Sequence, residues 1–412
     1  MKTDGLGALR IRDFRLFVGF RFFMTLAVQM QGLIIGWQVY ELTRDPLSLG
    51  LVGLTEAVPF IAIALYAGHI ADLRNRKRII LAFQLLLVAG TLLLFAFSLD
   101  LERFYRMYGL VPIFAVVALT GVARTFIAPA TTALSAQIVP RELYPNASTW
   151  NSVTWHVSAI TGPALGGMIY GFLGVRAAYG TILVFHALAI GLLAALAGRP
   201  VPRPDTEEPL GRRLATGLRF VFRNQIMLAS MSLDMFGVLF GGAVSMLPVF
   251  AAEVLHVGPQ GLGFLRAAPM AGAVLMSLLL AWRPPMRRTG RTLFAAVSGF
   301  GATIILFALS RSFPLSLALL FLSGLFDNIS VVIRSTVMQL VTPDEMRGRV
   351  ASINSIFIGS SNEIGSFESG VAARLMGLVP SVVFGGVMTL LVVAVTAKAA
   401  PLLRRLDLKS LR

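Results

Sequence analysis

The sequence predicts an all-α membrane protein with twelve transmembrane helices in two pseudo-symmetric six-helix bundles. Three observations carry that prediction. The chain is 56% hydrophobic and only 14% charged, with a mean hydropathy of +0.78, whereas soluble domains carry about a quarter charged residues. Residues Gly121 to Gly174 return at Gly324 to Gly377, a constant 203 positions later. The basic residues, finally, are sorted by loop rather than by helix face.

Apolar stretches of about 20 residues or more are enough to cross a ~30 Å hydrocarbon core. Twelve can be drawn, at roughly 14–41, 47–71, 78–99, 109–139, 146–172, 177–197, 225–254, 260–282, 291–310, 315–341, 349–377 and 380–400. The first is too long for a cleaved signal peptide and lacks a small-residue cleavage site, so it is expected to remain as a span.

The repeat relates the two halves in detail. Pro140 falls on Pro343, Glu142 on Glu345, Asn151 on Asn354 and Ser152 on Ser355. Gly162, Gly167 and Gly174 fall on Gly365, Gly370 and Gly377. A soluble solenoid would need several copies at a period of 20–50 residues, whereas two long same-direction halves suit a transporter with its site near the midplane. The turns at Pro140-Arg141-Glu142 and Thr342-Pro343-Asp344-Glu345 read as helix starts, with Thr342 as cap and Glu345 as its capping-box partner.

Charge sets the expected orientation. With the N-terminus inside, most of the 36 Lys and Arg lie in cytoplasmic segments, and only Arg44, Arg103, Arg106, Arg176 and Arg311 fall in external loops. That bias predicts both termini in the cytoplasm, for a protein expected in a bacterial inner membrane. The net charge of +16 is therefore topological. It argues against a nucleic-acid partner and for anionic lipid.

The expected domains are 1–197, a linker at 198–224, and 225–412. The linker opens with Pro200, Pro202, Pro204 and Pro209, which stiffen it. From Leu210 it becomes amphipathic, with Leu214, Leu218, Val221 and Phe222 opposite Arg212, Arg213, Arg219 and Arg223. That pattern predicts a helix lying in the inner-leaflet interface.

Several motifs bear on function. After the second span comes Gly68-His69-Ile70-Ala71-Asp72-Leu73-Arg74-Asn75-Arg76-Lys77-Arg78, where Gly68 would permit close packing and Asp72 would hold a neighbouring helix end. The fifth span carries Gly162-Pro163-Ala164-Leu165-Gly166-Gly167, a pattern expected to kink the helix and let it pack tightly. The first resembles the loop signature of the major facilitator superfamily, Gly-x-x-x-Asp-Arg-x-x-Arg-Lys/Arg, departing at Leu73. The second resembles the Gly-Pro-x-x-Gly-Gly element of that family's exporting antiporters, departing at Ser158. The segments Asp13-Phe14-Arg15-Leu16-Phe17 with Arg21, and Thr342-Pro343-Asp344-Glu345-Met346-Arg347-Gly348-Arg349-Val350, extend the likeness. They resemble the drug- and siderophore-exporting subgroup that contains enterobactin exporters and macrolide-efflux proteins. The resemblance implies the facilitator fold and outward transport, with spans one, four, seven and ten lining a central cavity.

Charges inside spans cost about 2.5–3.5 kcal/mol each at a helix centre, so they persist when paired, wetted or functional. Arg124 and Asp327 are equivalent under the 203 offset and present opposite charges at matching depth, as a ligand or coupling site or as a structural ion pair. Arg334 lies seven residues after Asp327, on the same helix face, and is a second partner for it. The proton-coupling candidates are Glu363, Asp327, Asp234 and Glu56. Glu363 leads, because its span, Gly359 to Gly370, is nearly devoid of bulky apolar residues and must pack on protein or line water. Substrate-cavity candidates are Arg124, Arg334, Asn328, Gln31, Asn151 and Trp155. Arg21, near the inner leaflet, is expected to snorkel.

No cysteine is present, which removes disulfides and thiolate metal sites. No phosphate loop, zinc cluster or nucleophile-and-base motif is visible, so neither an enzyme nor a cofactor is expected. The expectation is a monomeric secondary transporter, proton-driven, exporting a small amphipathic molecule by alternating access. A lysophospholipid or lipid transporter, and a metal-cation exporter using Asp234, Asp327 and Glu363, are the rivals on the same fold.

Overall fold

A computed structural model describes residues 5–198, 210–282, 288–343 and 346–407. Among them every regular element is helical and no strand occurs. The helices are α1 (Arg12–Thr43), α2 (Pro46–Leu73), α3 (Arg76–Leu99), α4 (Leu101–Tyr108), α5 (Val111–Ile138), α6 (Tyr144–Ala194) and α7 (Leu210–Arg223). They continue as α8 (Gln225–Phe240), α9 (Gly258–Trp282), α10 (Thr289–Leu309), α11 (Phe313–Val341), α12 (Arg347–Met376) and α13 (Leu378–Ala399). Ten helical segments are long and apolar enough to cross a membrane. One of these, α6, holds two spans, since its backbone leaves helical geometry at Gly174. The remaining span, α12, escapes a hydropathy criterion because its sequence is polar and small. Twelve transmembrane helices result.

Local chemistry explains the boundaries. Asn75 caps α3 by accepting from the Arg78 amide at 3.1 Å, and Asn224 caps α8 from the Ile226 and Met227 amides at 3.1 Å each, meeting donors that a helix start leaves orphaned. Thr342 ends α11, its amide donating to the Met338 carbonyl at 3.2 Å. The expected helix start after it involves Asp344 and Glu345, which lie outside the described residues. The span at 225–254 is interrupted: α8 stops at Phe240, and the chain resumes through a turn at Ala243–Met246 toward Val254. Discontinuous spans leave backbone groups for ligands or protein to satisfy.

The chain forms two compact units, Met1–Val39 with Thr55–Glu207, and Tyr40–Leu54 with Glu208–Arg412. The first has its core where Phe14, Phe17 and Phe20 of α1 meet Leu134, Ile138 and Leu193. An N-terminal turn braces it: the Ala8 amide donates to Asn146 Oδ1 at 2.9 Å, while Asn146 Nδ2 and Trp150 Nε1 donate to the Gly5 carbonyl at 2.8 and 3.0 Å. The second unit packs Leu233, Leu293, Ile333, Val337 and Leu403. Within it Val221 of α7 is buried with Met227, Met231, Val350 and Ile353, while Leu218 and Phe222 are exposed. The linker prolines Pro200, Pro202, Pro204 and Pro209 lie outside the described residues, as do the side chains of Leu210, Arg212, Arg213 and Leu214.

Span eleven's small residues have a packing cause. A Cβ at Gly365 would stand 2.7 Å from the Leu239 carbonyl, and one at Gly370 2.8 Å from Gly50 Cα. Backbones approach this closely only where side chains are absent. The polar, small face of α12 therefore packs on α8 and on the start of α2.

Candidate functional site

The second unit has a cleft of about 160 Å³ between three helices. From α8 it takes Met227, Met231, Asp234 and Val238, and from α11 Asp327, Val331, Arg334 and Met338. Both sets run at i, i+4, i+7, i+11, the spacing that lays side chains along one helix face. Asn354, Ile358 and Asn362 of α12 close the third side. Arg334 pairs with Asp234, their side chains only 11% and 9% exposed. The guanidinium is anchored from behind, Nε donating to the Ser330 carbonyl at 3.3 Å and to its Oγ at 3.2 Å. Asp327 faces the same cleft, so two carboxylates and one guanidinium line it together.

The first unit holds a counterpart of about 410 Å³, lined by Arg21, Thr132, Ser135, Asn151, Trp155 and His156 among others. Under the 203 offset Thr132, Ser135, Asn151 and Trp155 correspond to Ser335, Met338, Asn354 and Ile358 of the other cleft. Each bundle has thus opened the same place and lined it with different chemistry.

The other expected site residues divide between cavity walls and internal packing. Asn151 and Trp155 line a cavity of the first unit. Gln31 does not: it is buried and accepts from Thr91 Oγ1 at 2.7 Å. Asn328 is also turned away, accepting from Ser277 Oγ at 3.1 Å. Arg124 pairs with Glu56 inside the first unit, so the opposite charges at matching depth are explained by a partner within the bundle. Arg334 takes Asp234, not Asp327, as its ion-pair partner. Glu363 is half-buried and lies outside the cleft lining. Among the described residues no group of three or more His, Cys, Asp or Glu is placed to hold a metal, so the three carboxylates of the metal-exporting rival do not form one.

The loop and span motifs behave unevenly. Arg76 donates to the Ala71 carbonyl at 3.4 Å and to the Ala133 carbonyl at 3.3 Å, and Lys77 Nζ to the Ala194 and Leu196 carbonyls at 2.9 and 2.5 Å. Cations on helix C-terminal carbonyls tie three spans together. Gly68 is not at a close contact: a Cβ there would meet nothing within 4 Å. The Asp72 side chain lies outside the described residues. Gly162 and Gly166 do admit α1, since their Cβ atoms would stand 2.9 Å from Gln29 Cβ and from Met30 Cγ. Pro163 and Gly167 are buried beside them, and the backbone keeps helical angles through Pro163, breaking at Gly174 instead.

Sequence reasoning missed one residue. Arg21 is half-buried in a cavity rather than snorkelling. Glu56-Ala-Val-Pro59 and Arg266-Ala-Ala-Pro269 occupy matching places in the two halves. The helix crossings agree: Gly121 abuts the Glu56 carbonyl and Pro59, and Gly324 abuts the Pro269 carbonyl.

The sequence profile of the Major Facilitator Superfamily matches residues 17–366. The chain belongs to the Major Facilitator Superfamily. This facilitator is a multi-pass membrane transporter. It is similar to the enterobactin exporter EntS of Shigella dysenteriae serotype 1, with 25% identity over 88% of this chain and 85% of that protein. Its fold is also that of a bacterial homologue of the human lysosomal transporter Spinster, solved inward-facing and unoccupied, with a TM-score of 0.70 at 14% identity covering 95% and 96% of the chains. A peptide transporter POT in complex with sulfate aligns with a TM-score of 0.73 at 14% identity, covering 96% of both.

Proposed function

We propose that this facilitator is a proton-coupled exporter that carries a small amphipathic molecule outward by alternating access. The observation behind the proposal is the cleft in which Asp234 pairs with Arg334 and Asp327 lines the same wall. That cluster has one carboxylate in excess, in a setting where an uncompensated charge is costly. Taking up one proton makes the cluster neutral; releasing it leaves a site that favours a cation. A site with two charge states of different cost gives proton and substrate a shared equilibrium to bias. Asp327 is the favoured carrier, since Asp234 is already committed to Arg334. Glu363 and Glu56 become secondary, the one outside the cleft lining and the other paired with Arg124.

Export is favoured by the likeness to enterobactin exporters and by the partial antiporter element at Gly162 to Gly167. The bias of basic residues supports an inner-membrane protein with both termini cytoplasmic. The amphipathic α7 supports an interfacial linker in contact with anionic lipid. Two bundles, each carrying its own cleft, suit a monomeric unit of function.

Proton movement in inside-out vesicles tests the reading, recorded as lipophilic drugs, catecholate siderophores, lysophospholipids and divalent metals are added to wild type and Asp327→Asn. The expected result is a substrate-dependent collapse of the pH gradient that the variant loses. A variant with full coupling would remove Asp327 from the mechanism. Movement of lysophospholipid alone would replace small-molecule export with lipid transport.

A further inference from the structure

The cavity of the first unit has a chemistry that proton coupling leaves unused. Among the described residues its lining includes Arg21 and His156 but no Asp or Glu. Arg21 makes no ion pair or hydrogen bond with the described residues, and its Nε is fully buried without an acceptor. Asn151 Oδ1, in the same lining, is likewise buried without a donor. Its amide is already oriented, since Asn151 Nδ2 donates to Ser135 Oγ at 2.9 Å. The cavity thus holds a cation with no acid beside it. A guanidinium lining a partly enclosed cavity without a carboxylate favours an anionic ligand.

The wall is aromatic. Trp155 is 41% exposed and Tyr144 40%, although both sit on a helix fixed by the Gly5–Asn146–Trp150 strap. His156 stands edge-on to Trp155, with ring centroids 5.0 Å apart at 86°. A planar guanidinium binds a carboxylate or other oxyanion through parallel N–H donors. A Trp face accepts an aryl ring. The cavity's volume, about 410 Å³, suits a small molecule.

We infer that this cavity binds a small aromatic anion, with its oxyanion on Arg21 and its ring against Trp155. As the substrate class of the exporter this rests on the transport reading above. Binding itself is independent of it and is measured separately. The same oxyanion chemistry exists in anionic lipid headgroups, but the aromatic wall favours an aryl solute.

Calorimetric titration of the purified full chain in neutral detergent tests this, with 2-naphthoate and its uncharged isostere 2-naphthamide. Wild type is expected to bind the carboxylate at least about tenfold more tightly than the amide, the range of one charge-assisted hydrogen bond. Arg21→Gln should erase that preference, and Arg21→Lys should retain part of it. Equal binding of carboxylate and amide by wild type overturns the inference, even if Arg21→Gln fails to fold. So does competition by phosphatidylglycerol nanodiscs that abolishes naphthoate binding, which would make this a lipid-headgroup site. Naphthoate binding in a protein that shows no proton flux would leave the site standing and sink the transport reading instead.

Discussion

Gly174 and Gly377, 203 positions apart, hold the same backbone conformation, φ 82° and ψ 173° at the first and φ 88° and ψ 161° at the second. Both end one span and begin the next, so the internal repeat survives as a matched pair of left-handed corners. A side chain is disfavoured there by its own backbone, whatever space surrounds it. That region is open essentially to glycine alone and costs about 1–3 kcal/mol for other residues.

Alanine at either corner should therefore lower stability by about 1–3 kcal/mol. Thermal unfolding in detergent reads this, with Gly191→Ala as the comparison, because Gly191 is helical and a Cβ there meets nothing within 4 Å. Gly191→Ala should be neutral or stabilising by up to about 1 kcal/mol. Equal effects at all three positions would remove the strain argument.

Gly324 and Gly68 make a second contrast. The Pro269 carbonyl occupies the place of a Gly324 Cβ, whereas nothing lies near one at Gly68. Gly324→Ala must separate α9 from α11 and is expected to cost about 1–3 kcal/mol or more by overpacking. Gly68→Ala should leave the melting temperature unchanged while transport is assayed separately.

Removing one member of the Asp234–Arg334 pair strands the other in the interior, for a loss of about 3–5 kcal/mol. The two substitutions should not be equal. Arg334→Gln leaves Asp234 and Asp327 facing one cleft without a cation, while Asp234→Asn leaves Arg334 with Asp327 still at hand. The arginine variant is expected to be the less stable, and Arg334→Gln/Asp234→Asn to recover part of the loss. A double-mutant cycle of unfolding temperatures decides between this and independent contributions.

In the second unit, the polar contacts that join the segment Tyr40–Leu54 to its neighbours include two of different depth. Tyr40, 1% exposed, donates its hydroxyl to Glu253. Arg374 and Asp45, 59% and 35% exposed, pair at 3.4 Å. Tyr40→Phe should cost about 1 kcal/mol, the net worth of a hydrogen bond, while Asp45→Asn should fall within about 1 kcal/mol and shrink further in high salt. Limited proteolysis near Asp45, read alongside melting, separates local loosening from global loss.

Much of the molecule is legible in its amino-acid sequence. Span length, the 203 repeat and the bias of basic residues are local or statistical properties, and each reports on burial in lipid, which acts on every residue of a span. Close helix contacts are readable for the same reason at Gly162 and Gly166, where the missing side chain is itself the signal. Gly68 shows the limit of that rule, because an absent side chain permits an approach without requiring one.

The partners of the charges within the spans were decided only by the tertiary structure. Glu56 and Arg124 are 68 positions apart and Asp234 and Arg334 a hundred, and no periodicity within one helix links residues on different ones. Gln31 and Asn328 have the composition of cavity residues, yet each is turned toward a neighbouring helix by a single hydrogen bond. Arg21 has the position of a snorkelling side chain, yet packing around α1 holds it in a cavity. The sequence by itself determined a twice-repeated bundle of membrane-spanning helices, since hydrophobic burial depends on what each residue is. Which charges pair and which face an empty cleft depended on helix rotation and crossing, set by the packing of all the helices of a bundle together.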